Sequence, residues 1–230
     1  MVSGDPGTCS VWWARPGMLR AEHLLLLDPV EQGRRLRCRD EADGERSALA
    51  AVVLRLGAAS VIGADPAGLE VVRRCGSCDR PHGRPQVVGS QVHVSVSHSA
   101  DRVAVAVTAV APIGIDVERV SDVGLDDLVG RVLGPDEVVA RPRDFFVYWT
   151  RKESVVKATG TGLRVPLRDV LVSSAASPAR LVSCPGMPAG AASMLDLDPG
   201  SGYVGALTVL APVLPVVRQM DAGTLLAGAA

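Results

Sequence analysis

The stretch from Gln91 to Val120, QVHVSVSHSADRVAVAVTAVAPIGIDVERV, leaves the chain few ways to fold. Val92, Val94 and Val96 alternate with polar residues, the pattern of a strand with one buried face. RVAVAVTAV and IGIDVERV follow as two further strands, separated at Pro112, which cannot donate to a ladder. Consecutive strands need helices to cover them, and the sequence offers two good ones. GERSALAAVVLRLGAAS (44–60) sets Leu49, Val52, Val53 and Leu56 at helical spacing, and FFVYWTRKESVVKATGTGL (145–163) reads as an amphipathic helix. Between them a Gly, Asp and Pro-rich stretch at about 125–140 is expected to be helical, and GYVGALTVLAP (202–212) reads as a late strand.

These elements echo one another. VAVTAVAP (105–112) and GALTVLAP (205–212) share Ala, Thr, Ala and Pro in register, and the two helices are offset by the same 100 residues. Two similar halves would explain this, and so would chance resemblance between valine-rich strands. At 230 residues the chain suits either one large domain or two compact halves.

Composition excludes several classes. A formal net charge of -1 with 21% charged and 47% hydrophobic residues fits neither a basic nucleic-acid binder nor a disordered acidic tail. No run approaches the roughly 18 apolar residues of a membrane span, and MVSGDPGTCS lacks the features of a signal peptide, so no membrane, no nucleic acid and a cytoplasmic address are expected. The five cysteines are odd in number and scattered, which argues against a disulfide framework. Cys75, Cys78 and His82 have the spacing of half a zinc site, but no second Cys or His pair stands at finger-like distance, and a turn rich in Gly, Asp and Pro accounts for the same residues.

The chemistry concentrates on three segments. Asp116 and Glu118 are two apart on a strand, so both side chains leave one face while Ile115 and Val117 take the other. Two carboxylates there repel unless solvated or bridged by a cation, and hard oxygen donors suit Mg²⁺; an exposed strand end is the plain alternative. In the second helix Trp149, Glu153 and Lys157 stand at successive i, i+4 positions and line one stripe. A solvated helix face would show the same spacing. Yet of 24 basic side chains only Lys152 and Lys157 are lysine, and a compact ammonium is what a crowded phosphate site can use, so both lysines read as retained for chemistry. Finally, Ser97, His98 and Ser99 end a strand, and Arg84 in HGRP offers a planar fork to a phosphate.

Taken in order, HGRP (82–85), VSVSHS (94–99), IGIDVERV (113–120) and WTRKESVVKATGTGL (149–163), followed by VPLRDVLV, resemble the Sfp-type 4'-phosphopantetheinyl transferases. The resemblance implies an α/β fold, a pseudo-dimer of two similar α/β halves in one chain. Residues 1–111 would form the nucleotide-contacting half, and residues 112–230 the half with the metal and catalytic motifs. It implies transfer of 4'-phosphopantetheine from coenzyme A to a serine of an apo acyl or peptidyl carrier protein, with release of 3',5'-ADP. Asp116, Glu118 and Glu153 would hold Mg²⁺, Lys157 would contact the pyrophosphate, and Arg84, Ser97 and His98 would hold the nucleotide end. Arg46 and Ser47 match a further nucleotide contact, and Arg34 falls where the family tends to carry another base. Catalysis would rest on Glu153, Lys157 and Asp116, with Glu153 resembling the general base, directly or through a water.

One departure is Arg84, where many relatives carry lysine, a change from point charge to fork. Carriers of fatty-acid, polyketide or non-ribosomal peptide synthesis are the implied partners, with secondary metabolism the common setting. The length and single motif set favour the longer pseudo-dimeric type, acting as a monomer, over short relatives that assemble into trimers. Two rivals stay open: another Mg²⁺-dependent phosphoryl-transfer or phosphodiester-cleaving enzyme, and an inactive coenzyme A or carrier-binding module. The lack of a basic, aromatic-interleaved patch argues against a nuclease, and the set Asp116, Glu118, Glu153 and Lys157 against the inert module.

Overall fold

The computed structural model describes residues 7–74, 83–122 and 124–229, so Cys75, Cys78 and His82 lie outside the described residues. It is a mixed α/β structure. In the first half, strand β1 (Thr8–Ala14) leads through helices α1 (Pro29–Arg37) and α2 (Glu41–Ile62) and short strands β2 (Val71–Val72) and β3 (Gln86–Val87) to β4 (His93–Ser99) and β5 (Arg102–Thr108). The second contains β6 (Ile113–Arg119), α3 (Asp126–Val132), α4 (Pro142–Thr159), the hairpin β7 (Leu171–Val172) and β8 (Leu181–Ser183), and strands β9 (Ser193–Leu197) and β10 (Tyr203–Val209). Strand β11 (Val216–Asp221) and helix α5 (Gly223–Ala227) follow.

Three strands run β1-β5-β4 in the larger sheet, and three run β6-β10-β9 in the smaller. Both orders are first, third, second in sequence, each with its long helix between the first strand and the other two. The echoing segments, β5 and β10, are the central strands of these trios. The match is broken at the end of the chain: β11 pairs parallel with β1, so the stretch expected as the second half, 112–230, lends its last strand to the first sheet.

Packing follows from strand alternation. On β5, Val103, Val105 and Val107 join the core with α2, and Ala104 and Ala106 join a second core with Ile113, Ile115, Val117 and Leu207 of the smaller sheet. Small side chains on that face let the two sheets approach. Helix α2 is capped by the Asp40 carboxylate, which accepts from the Ala42 N–H, and ends at Gly63 in the left-handed region. It carries one charge inside: Arg55, fully buried, donates to Glu31 at 2.7 Å, Asp28 at 2.9 Å and the carbonyls of Pro66 and Leu69. Nothing less would hold a guanidinium in that core.

Helix α4 is longer at its start than the sequence pattern indicates, because Pro142 suits its first turn and Asp144 accepts from the N–H groups of Ala140 and Arg141. Helix α3 is shorter than expected. Its helix stops at Val132, before Gly134 and Pro135, and the segment to 140 is irregular. Among the described residues seven strands, β1, β2, β3, β7, β8, β9 and β11, add to the four read from the sequence.

One close approach sets the relation of α4 to the smaller sheet. A Cβ on Gly114 of β6 would stand 1.9 Å from the Ser154 carbonyl oxygen and 2.5 Å from the Ala158 nitrogen, both backbone atoms of α4. The Ser154 hydroxyl, 2.7 Å from Thr208 of β10, ties the same helix face to the sheet. Gly114→Ala must therefore push helix and strand apart. We expect it to cost at least about 1–3 kcal/mol, the range for overpacking, in urea unfolding. A loss within about 0.5 kcal/mol, as for an ordinary surface change, would contradict so tight a crossing.

Candidate active site

The C-terminal ends of β4 and β6 and the second half of α4 converge on one cleft. Alternation on β6 turns Gly114, Asp116 and Glu118 toward α4, while Ile113, Ile115 and Val117 enter the core between the sheets. Because Gly114 lets α4 lie flat on β6, residues 149, 153 and 157 of the helix come over the two acids. A hollow of about 380 Å³ is lined by Ser97, His98, Asp116, Glu118, Trp149, Glu153 and Lys157. The stripe and the acid pair expected from the sequence thus face one another.

Hydrogen bonds order the floor. The Ser97 hydroxyl donates to Asp116 Oδ1 at 2.7 Å, and Lys157 Nζ donates to the same oxygen at 2.7 Å and to Ser97 Oγ at 3.0 Å. Asp116 Oδ2 is buried and has no partner. The Ser99 hydroxyl donates to Glu118 Oε2 at 2.7 Å. Burial first, and then the negative charge of Asp116, push Glu118 up to about 7, against the opposing pull of Ser99 and Lys157. Glu153 is raised for the same two reasons, with Lys157 opposing. Three acids crowded into one poorly solvated place hold more negative charge than one ammonium neutralises.

That excess suits a hard divalent cation. Carboxylate oxygens are the donors Mg²⁺ prefers, and an orphaned buried oxygen on Asp116 is the atom such an ion would satisfy. Among the described residues no three His, Cys, Asp or Glu side chains already form a closed ligand set, and Lys157 holds Asp116 Oδ1.

A larger cavity of about 610 Å³ shares Val96, Glu153 and Lys157 with the first and extends past Arg73, Arg84, Thr161 and Arg164. It is cationic where the first is acidic. Arg84 donates from Nη1 to the Ala158 carbonyl at 2.8 Å, at the C-terminus of α4, while its Nε is buried without a partner. Arg73 likewise has an unpartnered buried Nε, and burial, then the neighbouring charge of Arg34, hold it down to about 10. In the acid hollow, the His98 imidazole is held below its ordinary value by partial burial and then by Arg46 and Lys157. Arg46 itself is paired with Asp43 on the first turns of α2, with Ser47 next to it in sequence.

The sequence reading missed Arg73 and Arg164. VVRRCG gives no sign which of two adjacent arginines turns inward, and RVPL follows a loop whose course only the fold decides. It also took Lys152 together with Lys157 as retained for chemistry, while setting only Lys157 on the stripe that faces the site. Lys152 is fully buried on the opposite side of α4, paired with Glu137 at 2.5 Å and donating to the carbonyls of Val132 and Leu167. Its role is to tie α4 to the irregular segment after α3. Lys157 is the lysine that faces the acids.

The raised Glu118 makes a pH prediction. A carboxyl whose folded pKa lies above its unfolded value binds more protons when folded, so its contribution to stability is complete below about 4.5 and is lost as pH rises through about 7. Glu118→Gln removes the charge while keeping the shape. In metal-free buffer the variant should melt higher than the parent at pH 8 and lose that advantage at pH 5, by calorimetry. A lower melting temperature at pH 8 would mean that the Glu118 charge is stabilising.

Similarity to known proteins agrees with this geometry. A family model described as the 4'-phosphopantetheinyl transferase superfamily matches residues 112–207, the segment from β6 to β10. The chain is 30% identical over 169 residues to a 4'-phosphopantetheinyl transferase of Bacillus subtilis, covering 68% of this chain and 71% of that protein. It is 31% identical over 96 residues to the 4'-phosphopantetheinyl transferase gsp of Aneurinibacillus migulanus, 38% of this chain and 39% of the relative. It is 32% identical over 124 residues to the 4'-phosphopantetheinyl transferase HetI of a Nostoc strain, half of each chain. With an acid pair, a Glu–Lys helix stripe and a cationic cavity meeting in one cleft, and a relative matched over two thirds of both chains, the chain belongs to the 4'-phosphopantetheinyl transferase superfamily and is a transferase of this type.

Proposed function

We propose that this chain moves the 4'-phosphopantetheine group of coenzyme A onto a serine hydroxyl of an apo carrier protein and releases 3',5'-ADP. The observation that carries the reading is the adjacency of two unlike cavities: an acid hollow with an orphaned Asp116 oxygen, opening into an arginine-lined space large enough for a nucleotide. A pyrophosphate lying across their boundary would meet Lys157 and the acids on one side and Arg73 and Arg84 on the other.

In this reading Asp116, Glu118 and Glu153 would hold Mg²⁺, which when bound neutralises charge on the phosphate oxygens. Lys157 fixes Asp116 and points its remaining donor capacity at the cleft. Glu153, held above the usual carboxylate range, takes the proton from the carrier serine, directly or through a water, as the serine oxygen bonds to phosphorus and the bond to the 3',5'-ADP oxygen breaks. His98, Arg84, Arg46 and Ser47 belong to the nucleotide end. Ser97 is committed to Asp116 and Lys157 and reaches the nucleotide, if at all, through them.

The shared strand order of the two trios supports an arrangement of two similar halves, 1–111 and 112–230, with the site at their junction. We take the chain to act as a monomer on acyl or peptidyl carriers of polyketide, non-ribosomal peptide or fatty-acid synthesis, at a cytoplasmic address. No described helix is long and apolar enough to cross a membrane.

The test is intact mass of a panel of apo carrier proteins after incubation with the protein, coenzyme A and Mg²⁺. At least one carrier should gain one phosphopantetheine, and chelator should stop the gain. No gain on any carrier, with coenzyme A bound, would favour the inert binding module. Within that assay Lys157→Ala should lower the transfer rate by about two orders of magnitude or more, with Lys157→Arg recovering part of it. Lys152→Ala should instead destabilise the fold by about 3–5 kcal/mol, since it strands buried Glu137. Equal, small losses of rate in the two alanine variants would remove Lys157 from the site.

A further inference from the structure

Strand β6 is an edge of the smaller sheet, pairing through its backbone, among the described strands, only with β10. Its other edge lies on the face of β4, and there side chains meet it. The hydroxyls of Ser95, Ser97 and Ser99 accept from the backbone N–H groups of Ile115, Val117 and Arg119 at 3.1, 3.4 and 3.1 Å. The offset is 20 residues at each rung, so the two strands run parallel and the period-two alternation of both stays in step.

A hydroxyl that accepts still has a proton to donate. Ser97 gives its proton to Asp116 and Ser99 gives its own to Glu118, each at 2.7 Å and each to the residue just before the N–H that it accepts. Ser95 has no acid in the corresponding place, because position 114 is glycine. The seam thus holds three alike hydroxyls, of which two aim a carboxylate and one does not.

We propose that Ser97 and Ser99 are positioning residues for the transfer reaction: each fixes one acid of the β6 pair so that its carboxylate is presented to the cleft as a ready metal ligand. For Asp116 the result is visible, since the serine and lysine side chains occupy Oδ1 and leave Oδ2 as the unpartnered atom. For Glu118, with more side-chain freedom to lose, Ser99 is the only described hydrogen-bond partner of the carboxylate. This inference rests on the reading of Asp116, Glu118 and Glu153 as the holders of a divalent cation, and it adds what orders them.

Ser95 supplies the control that separates positioning from mere structure. The probe is Mn²⁺, titrated with and without coenzyme A while free ion is followed by electron paramagnetic resonance. Ser99→Ala should weaken Mn²⁺ binding by about tenfold or more, as loss of a partner that orients a ligand does. Ser99→Thr, which keeps the hydroxyl, should restore most of it. Ser95→Ala, which leaves the Ile115 N–H unpaired in a buried place, should lower the melting temperature yet bind Mn²⁺ like the parent. Parent-like affinity in Ser99→Ala, or an equal loss in Ser95→Ala, overturns the proposal. Glu118→Gln distinguishes the deeper failure: if it too binds Mn²⁺ like the parent, the metal reading falls and the positioning role falls with it.

Discussion

An edge strand leaves a row of backbone N–H groups that must find partners, and the way β6 finds them organises the rest of the molecule. Strand β6 is covered on its free side by hydroxyls standing on the face of another sheet. Covering by side chains keeps the two sheets separate, so β6 can carry its acids beside β4 without becoming a strand of the same sheet. At 97 and 99 it also demands a hydroxyl, because the partner must both accept a hydrogen bond and donate one. A valine at 99 would leave both the Arg119 N–H and the Glu118 carboxylate without these partners, and one at 97 would leave the Val117 N–H unserved and Asp116 with Lys157 alone.

Helix α4 completes the site because it is buried on more than one side. Its contact with β6 depends on Gly114 and brings Glu153 and Lys157 over the acids. On another face Arg151, fully buried, makes a bidentate pair with Asp196 at 2.8 and 2.6 Å and donates to carbonyls of residues 173, 174 and 177, which fastens the β7–β8 hairpin and β9 to the helix. Arg151, Lys152 and Glu153 are three neighbours with three tasks, two structural and one in the cleft. Helical geometry alone separates them, since adjacent residues point about 100° apart.

The strands at 91–120 and the two long helices were legible because strong apolar periodicity specifies them locally. So were Asp116, Glu118, Trp149, Glu153 and Lys157, whose mutual facing follows from periods of two and 3.6. What stayed hidden depends on contacts distant in sequence. The polar strand VVRQMD of β11 has no alternation to announce it and is a strand because β1 is there to pair with it. Arg73 turns into the cavity only once β2 is placed, and Lys152 is a structural ion only once Glu137 lies against it. The scarcity of lysine marked the right helix and could not tell the two lysines apart.

The return of β11 to the first sheet has a consequence for how the protein comes to be made. Strand β1 is among the first described segments to leave a ribosome, and its outer partner is among the last. Until residues 216–221 emerge, β1 is an open edge, and α2 lacks the contact with Leu226 of α5 that helps to close its core. The amino-terminal layers must therefore wait through the synthesis of the whole carboxy-terminal half before they are finished. Such a chain cannot close its first sheet domain by domain, and β1 stands as an exposed edge until β11 has been made.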